Sequence, residues 1–169
     1  MKYSLKKIAL ITEIIGGIAI IISLLFVGLQ FKESAKATRS ATAAATVSEA
    51  TTWYSNIGNS EHGSYVFWNF MATPDSLSQE ERFQAVMNIH GAMLMLQNSY
   101  YLAQEGTLDQ EIHKSLIEII NGIKNSPGFK VFWKARKSIF LKDFQDYIES
   151  IIVSEKINSE GIYSLKKEK

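Results

Sequence analysis

Ile8-Ala9-Leu10-Ile11-Thr12-Glu13-Ile14-Ile15-Gly16-Gly17-Ile18-Ala19-Ile20-Ile21-Ile22-Ser23-Leu24-Leu25-Phe26-Val27-Gly28-Leu29-Gln30-Phe31 is the stretch whose reading decides the fold. It fills the interval between Lys7 and Lys32, and Glu13 is its only ionisable residue. A helix rises about 1.5 Å per residue, so a hydrocarbon core of ~30 Å needs about 20 apolar residues. Ile14 to Phe31 gives 18 residues without a charge, and Ile8 to Thr12 lengthens the run. The stretch predicts a transmembrane helix over 8–31, preceded by a basic flank at 1–7. The competing reading is a cleaved signal peptide, whose apolar region is about 7–15 residues and ends at a small-residue cleavage site. Here the run is longer, and Ala43-Ala44-Ala45 come only after Lys32, Lys36 and Arg39. An uncleaved anchor in a membrane, with the lipid bilayer as its first partner, is the better fit.

Besides Thr12, the polar side chains in the span are Glu13, Ser23 and Gln30. A carboxylate deep in lipid is costly and is a functional candidate by default. Glu13 lies about one and a half turns from Lys7, so a solvated position at the interface is the plainer expectation. Thr12/Gly16 and Ala19/Ser23 place small residues one turn apart, a pattern that lets a second helix, such as another copy of the chain, approach closely. Flanking cations stand on both sides, Lys2, Lys6 and Lys7 before the span and Lys32, Lys36 and Arg39 after it, so the positive-inside rule leaves the orientation nearly balanced.

Beyond the span the chain reads as water-soluble. Residues 32–169 carry 15 basic and 16 acidic side chains. Nucleic-acid binding leaves a basic excess, so nucleic acid is not an expected partner. The chain has no cysteine, which removes disulfides, zinc–thiolate sites and thiol chemistry.

Lys32 to Ile57 lacks Pro and Gly and is dense in Ala, so the anchor is expected to continue as a juxtamembrane helix over 32–57, stopped by Gly58-Asn59. Val47, Ala50, Tyr54 and Ile57 recur at helical spacing and are expected to mark its buried face. Ala37, Ala41 and Ala45 form a small-residue row. Residues 58–155 are expected to form a helical bundle domain and 156–169 a polar tail. Tyr65 to Met71 reads as an aromatic helix broken by Thr73-Pro74-Asp75. Ser78 with Glu81 has the form of a capping box for a helix running to about Glu105, with Gly106 as its stop. Phe83, Val86, Met87, His90, Met93, Leu94, Gln97, Tyr100 and Tyr101 are expected along its packed side. Ile112, Leu116, Ile119, Ile120 and Ile123 give the next apolar stripe. Ser126-Pro127 starts a further helix, with Phe129, Phe132, Trp133, Arg136 and Phe140 on one face and Lys130, Lys134 and Lys137 on the other. A last helix over about 142–155 buries Phe144, Tyr147, Ile148 and Ile151. No run alternates with period two, so the fold class is all-α: a transmembrane helix leading into a bundle of about five helices.

Glu13 through Gln30 also resembles a widespread group of uncharacterised bacterial single-pass membrane proteins. In these an acidic residue opens the span, Ser-Leu sits mid-span (here Ser23-Leu24), Gln closes it, and a basic, Ala- and Thr-rich helix follows (here Ala37-Thr38-Arg39 onward). Further matches in order are Glu80-Glu81-Arg82-Phe83, Asn98-Ser99-Tyr100-Tyr101 to Gly106, and Pro127-Gly128 leading to Phe132-Trp133 and Arg136. The chain departs from the pattern at Phe31-Lys32-Glu33-Ser34, where members have an Arg and an Asn, and in its Lys-rich start. The resemblance implies a bacterial inner-membrane protein whose C-terminal part faces the cytoplasm. It brings no activity with it.

The candidate polar or pocket positions are His90, Gln97, Tyr100, Arg136, Glu81 and Glu118. His90 lies on the apolar side of the long helix, where it is a hydrogen-bonded core residue or a base. Arg136 falls on an aromatic face and needs a carboxylate there, with Glu81 or Glu118 as the expected partner in an interhelical clamp. His62 and His113 are expected to be exposed. Between Glu118 and Asp143 there are six basic residues and no acidic one. The aromatic helix within that stretch either packs in the core with a solvated basic face or lies on anionic lipid. His-Glu-x-x-His, the helical di-iron pattern, Gly-x-x-x-x-Gly-Lys and Gly-x-Ser-x-Gly are all missing from the sequence, so no catalytic, metal or cofactor residue is assigned. Three readings remain: a membrane-tethered interaction or structural module, placed first; a small-ligand binding bundle with a polar pocket; and an enzyme of unknown class.

Overall fold

The computed structural model describes residues 2–155, and the polar tail expected at 156–169 lies outside them. Six α-helices and two 3-10 turns make up the described chain, with no strand among the described residues. The first helix, α1, runs without a break over Lys2–Gly58. It includes the basic flank from Lys2, the expected span and the Ala/Thr segment. The chain divides into two compact units, one ending at Ala41 and the other starting at Thr42.

In the first unit α1 has one window long and apolar enough to cross a membrane, and none of that window is buried in the protein. Ile14, Ile18, Ile21, Leu25 and Leu29 are all more than half exposed.

The second unit holds the end of α1 with α2 (Glu61–Ala72), α3 (Gln79–Gln104), α4 (Gln110–Ile123), α5 (Pro127–Arg136) and α6 (Lys142–Val153); the end of α1 meets α2 and α3 through Trp53. Local chemistry sets the boundaries. Ser60, Ser78, Asp109 and Ser126 each accept a backbone N–H of their own helix's first turn, meeting part of the need of four orphan donors. At α3 the capping box closes in full, with Glu81 Oε2 accepting the Ser78 N–H at 2.8 Å. Gly106, at φ +72°, turns the chain after α3, where a side chain would be strained. Pro74–Ser76 forms a single 3-10 turn between α2 and α3.

The core joins Phe67, Phe70, Met71, Ile89, Met93, Leu96, Ile117, Ile120, Phe129, Phe132, Phe140, Phe144 and Ile148. The aromatic face of α5 is in this core: Phe129, Phe132 and Trp133 are buried, as is Phe140, which lies beyond the helix, after a 3-10 turn at Lys137–Ile139, rather than on it as expected. That excludes the reading in which those rings lie on lipid.

Three faces differ from their expected residues. At the end of α1, Thr46 and Ala50 are buried while Val47 and Tyr54 are about half exposed. The helix is turned by roughly one residue, which brings the Trp53 indole to α3, where Nε1 donates to Asn88 Oδ1 at 2.9 Å. On α3 the buried set is Ala85, Ile89, Ala92, Met93, Met95, Leu96, Ser99 and Ala103, whereas Phe83 and Leu94 face out. Small residues share the contact side with Ile89, Met93, Met95 and Leu96. On α4 the buried set is His113, Ile117, Ile120, Asn121 and Ile123, so Ile112, Leu116 and Ile119 are only half buried.

Candidate functional site

The best-connected polar feature of the domain is a chain of three side chains from three helices: Ser99 of α3, His113 of α4 and Tyr147 of α6. Contrary to expectation His113 is buried, 4 % exposed. Ser99 Oγ–H donates to the Leu96 carbonyl at 2.9 Å, which leaves the oxygen to accept from His113 Nδ1–H at 3.0 Å. With Nδ1 protonated, a neutral imidazole can only accept at Nε2, and Tyr147 O–H donates there at 3.0 Å. The Tyr147 ring stacks on Tyr100, centroids 4.7 Å apart. Burial lowers the His113 pKa and raises that of Tyr147, with Tyr100 adding to the latter. Each shift favours the neutral form that the hydrogen bonds require. Ser99 is completely buried, so its hydroxyl has no route to a substrate, and the relay is a tie between helices.

This tie makes stability pH-dependent with a definite sign. Because the folded pKa of His113 lies below its ordinary 6.5, the unfolded chain binds the proton first as pH falls. The stabilisation is complete above about pH 6.5 and is lost as the pH drops towards the folded value. His90 shifts the same way, through burial first and then the Arg136 charge. Thermal melts at pH 7.5 and 5.5 should show a lower midpoint at the acid pH. In His113→Gln that difference shrinks, while overall stability drops by about 2 kcal/mol through the lost buried hydrogen bonds. An unchanged pH difference in the variant would show that His113 is not its source.

The other expected positions are placed as follows. His90, Gln97 and Tyr100 lie on α3. The His90 ring packs on Phe140 at 5.2 Å, and its Nδ1 is buried without a hydrogen bond. Phe140 in turn stacks on Trp133 at 5.9 Å. Gln97 Oε1 accepts the Leu141 N–H at 2.8 Å, holding the turn before α6. Arg136 is half buried, close enough to His90 to disfavour its protonation, with its Nε buried and unpartnered. Glu81 is engaged at the α3 N-terminus, so it is not the clamp partner expected for Arg136. Glu118 is half buried on α4. His90, Gln97 and Arg136 therefore meet around Phe140 and Leu141, where Gln97 is committed to backbone and His90 to ring packing. Glu13, Ser23 and Gln30 are exposed on α1. Seven residues apart, Ser23 and Gln30 fall nearly on one line, with Glu13 roughly 90° round the helix from them.

A groove of about 510 Å³ lies between the end of α1 and α3. Ser48, Thr52 and Asn56 line it at four-residue intervals on α1, opposite Gly91, Leu94 and Asn98 on α3. Gly91 has open space where a Cβ would stand. Sequence periodicity missed this groove because Trp53, Leu94 and Met95 share its walls with polar and small residues, so no apolar stripe marks it. Comparison with known proteins gave no match to any family model, to any curated protein or to any solved structure.

Proposed function

We propose that this chain is a single-pass protein of a bacterial inner membrane, an interaction module anchored by the first half of α1, with its helical domain in the cytoplasm. The observation that carries the anchor is the apolar window of α1, of which nothing is buried in the protein. At about 25 cal/mol per Å² such a surface is costly to hold in water and is covered without penalty by lipid. The bacterial membrane and the cytoplasmic side are supported by the resemblance in the span. The interaction reading is supported by the groove between α1 and α3, a helix-lined recess with Leu94 45 % exposed at its edge. A protein partner is the occupant proposed.

Carbonate extraction of membranes tests the anchor. The intact chain should stay in the pellet at its full mass, and a chain lacking residues 1–31 should be released. A mature protein missing its N-terminus would mean a cleaved signal instead. Sidedness is read with Ser115→Cys, an exposed position in a chain without other thiols. Labelling by a membrane-impermeant maleimide only after lysis of the inner membrane supports the cytoplasmic side. For the groove, a partner captured from detergent extracts should be lost with Gly91→Arg, which fills the recess from an open position. Equal capture by that variant would remove the groove from the proposal.

A further inference from the structure

A second recess, a cleft of about 280 Å³, opens where α5 passes the ends of α4 and α6. Phe129, Trp133 and Ile152 give it apolar walls, and Lys124, Lys130, Lys134 and Lys137 surround it. Their states differ. Lys137 is neutralised by Glu149 at 2.6 Å. Lys124 is buried and donates to the Ile151 carbonyl and to the Ser154 carbonyl and hydroxyl. These are neutral oxygens, so its charge is solvated but not cancelled. Lys130 and Lys134 are exposed one turn apart on α5, and neither is in an ion pair among the described residues. Trp133, 93 % buried by its 7 % exposure, has an indole N–H with no acceptor.

Apolar walls and the unpaired, exposed ammonium groups of Lys130 and Lys134 specify the ligand's chemistry. It has an apolar chain, an oxygen-bearing head and a negative charge. The volume lies just below the range that encloses a whole drug-sized ligand, which suits one chain rather than the two of a phospholipid. We propose that this cleft binds a single-chain anionic amphiphile, an acyl chain ending in a carboxylate or a phosphate. The chain lies against Phe129, Trp133 and Ile152, and the head is held by Lys130 and Lys134. This inference goes beyond the anchor and groove and does not depend on either.

The test is photolabelling of the full chain in phosphatidylcholine nanodiscs with a diazirine-bearing dodecanoate, mapped by peptide mass spectrometry. The label is expected in the peptides carrying Phe129, Trp133 and Ile152, and saturable by unlabelled dodecanoate but not by dodecanol. Better competition by dodecyl phosphate than by dodecanoate would identify a phosphate head as the preferred ligand, and equal competition by the two supports the shared anionic-head chemistry. Better competition by dodecanoate identifies the carboxylate. Lys130→Glu with Lys134→Glu should weaken labelling by about tenfold or more, the value of losing charge-assisted bonds. Both positions are exposed, so circular dichroism should show the fold retained. Ile152→Trp should block the cleft without altering charge. Labelling confined to α1, equal competition by dodecanol, or no response to the charge reversals would each overturn the proposal.

Discussion

Gly128→Ala is expected to destabilise the helical domain by about 3 kcal/mol or more, a fall of about 12 °C in melting midpoint, and Gly128→Val to prevent folding at room temperature. Gly128 is the second residue of α5, and its missing side chain is what allows α5 to lie directly on α2. A Cβ built there would stand 2.1 Å from the Phe70 carbonyl oxygen and 2.7 Å from its carbon. Those are backbone atoms in the last part of α2, so no rotamer change relieves the clash. One helix must move, and Phe70, Met71, Phe129 and Phe132, all nearly inaccessible, would lose their packing with it. The contrast is Gly91→Ala. That glycine is exposed in the interior of α3 with open space at its Cβ, so alanine there should stabilise by about 0.5–1 kcal/mol through helix propensity. Thermal melts of the two variants in the same detergent check the pair. Equal effects would show that the approach of α5 to α2 is not the constraint.

The Gly128 contact illustrates what the sequence does and does not disclose. Ser126-Pro127 announces a helix start, and the rings after it announce a buried face; both are as expected. The need for glycine between them comes from a segment over fifty residues away, so no local pattern carries it. Capping signals were legible because each acts within one turn, as Ser78 with Glu81 shows. Helix faces were less so. On α3, Phe83 and Leu94 face out although they are large and apolar, while Ala85, Ala92 and Ser99 share the contact side with Ile89, Met93, Met95 and Leu96, a face that apolarity alone does not mark. On α4 the misreading has a single origin. His113, Ile117, Ile120 and Lys124 follow one another at four, three and four residues, a helical line, but its two ends are polar and look like surface. Both ends are buried because other helices supply their hydrogen bonds: Ser99 and Tyr147 to His113, and the end of α6 to Lys124. A reading that weights periodicity above polarity would have found the relay, though not its partners.

Lys124→Met should cost about 2–3 kcal/mol, and Lys124→Glu about 4 kcal/mol or more. The lysine follows α4 as its C-cap and is 1 % exposed. Its ammonium lies 2.8 Å from the Ile151 carbonyl, 2.7 Å from the Ser154 carbonyl and 2.9 Å from the Ser154 hydroxyl. The last carbonyls of any helix have no partner within it, and the negative end of the helix dipole is concentrated on them. One cation therefore closes the end of α6 and ties it to the end of α4. Methionine keeps most of the buried stem and removes only the charge and its three donors, so its cost isolates the cap. Glutamate adds a buried carboxylate facing carbonyl oxygens, which neither side can satisfy. Because the cap acts at one end of one helix, the loss should be local before it is global. Hydrogen exchange in Lys124→Met should quicken first in α6, with α2 and the first half of α3 protected until the whole domain opens. Uniform acceleration across all helices would instead mean that Lys124 supports the core as a whole rather than the end of α6.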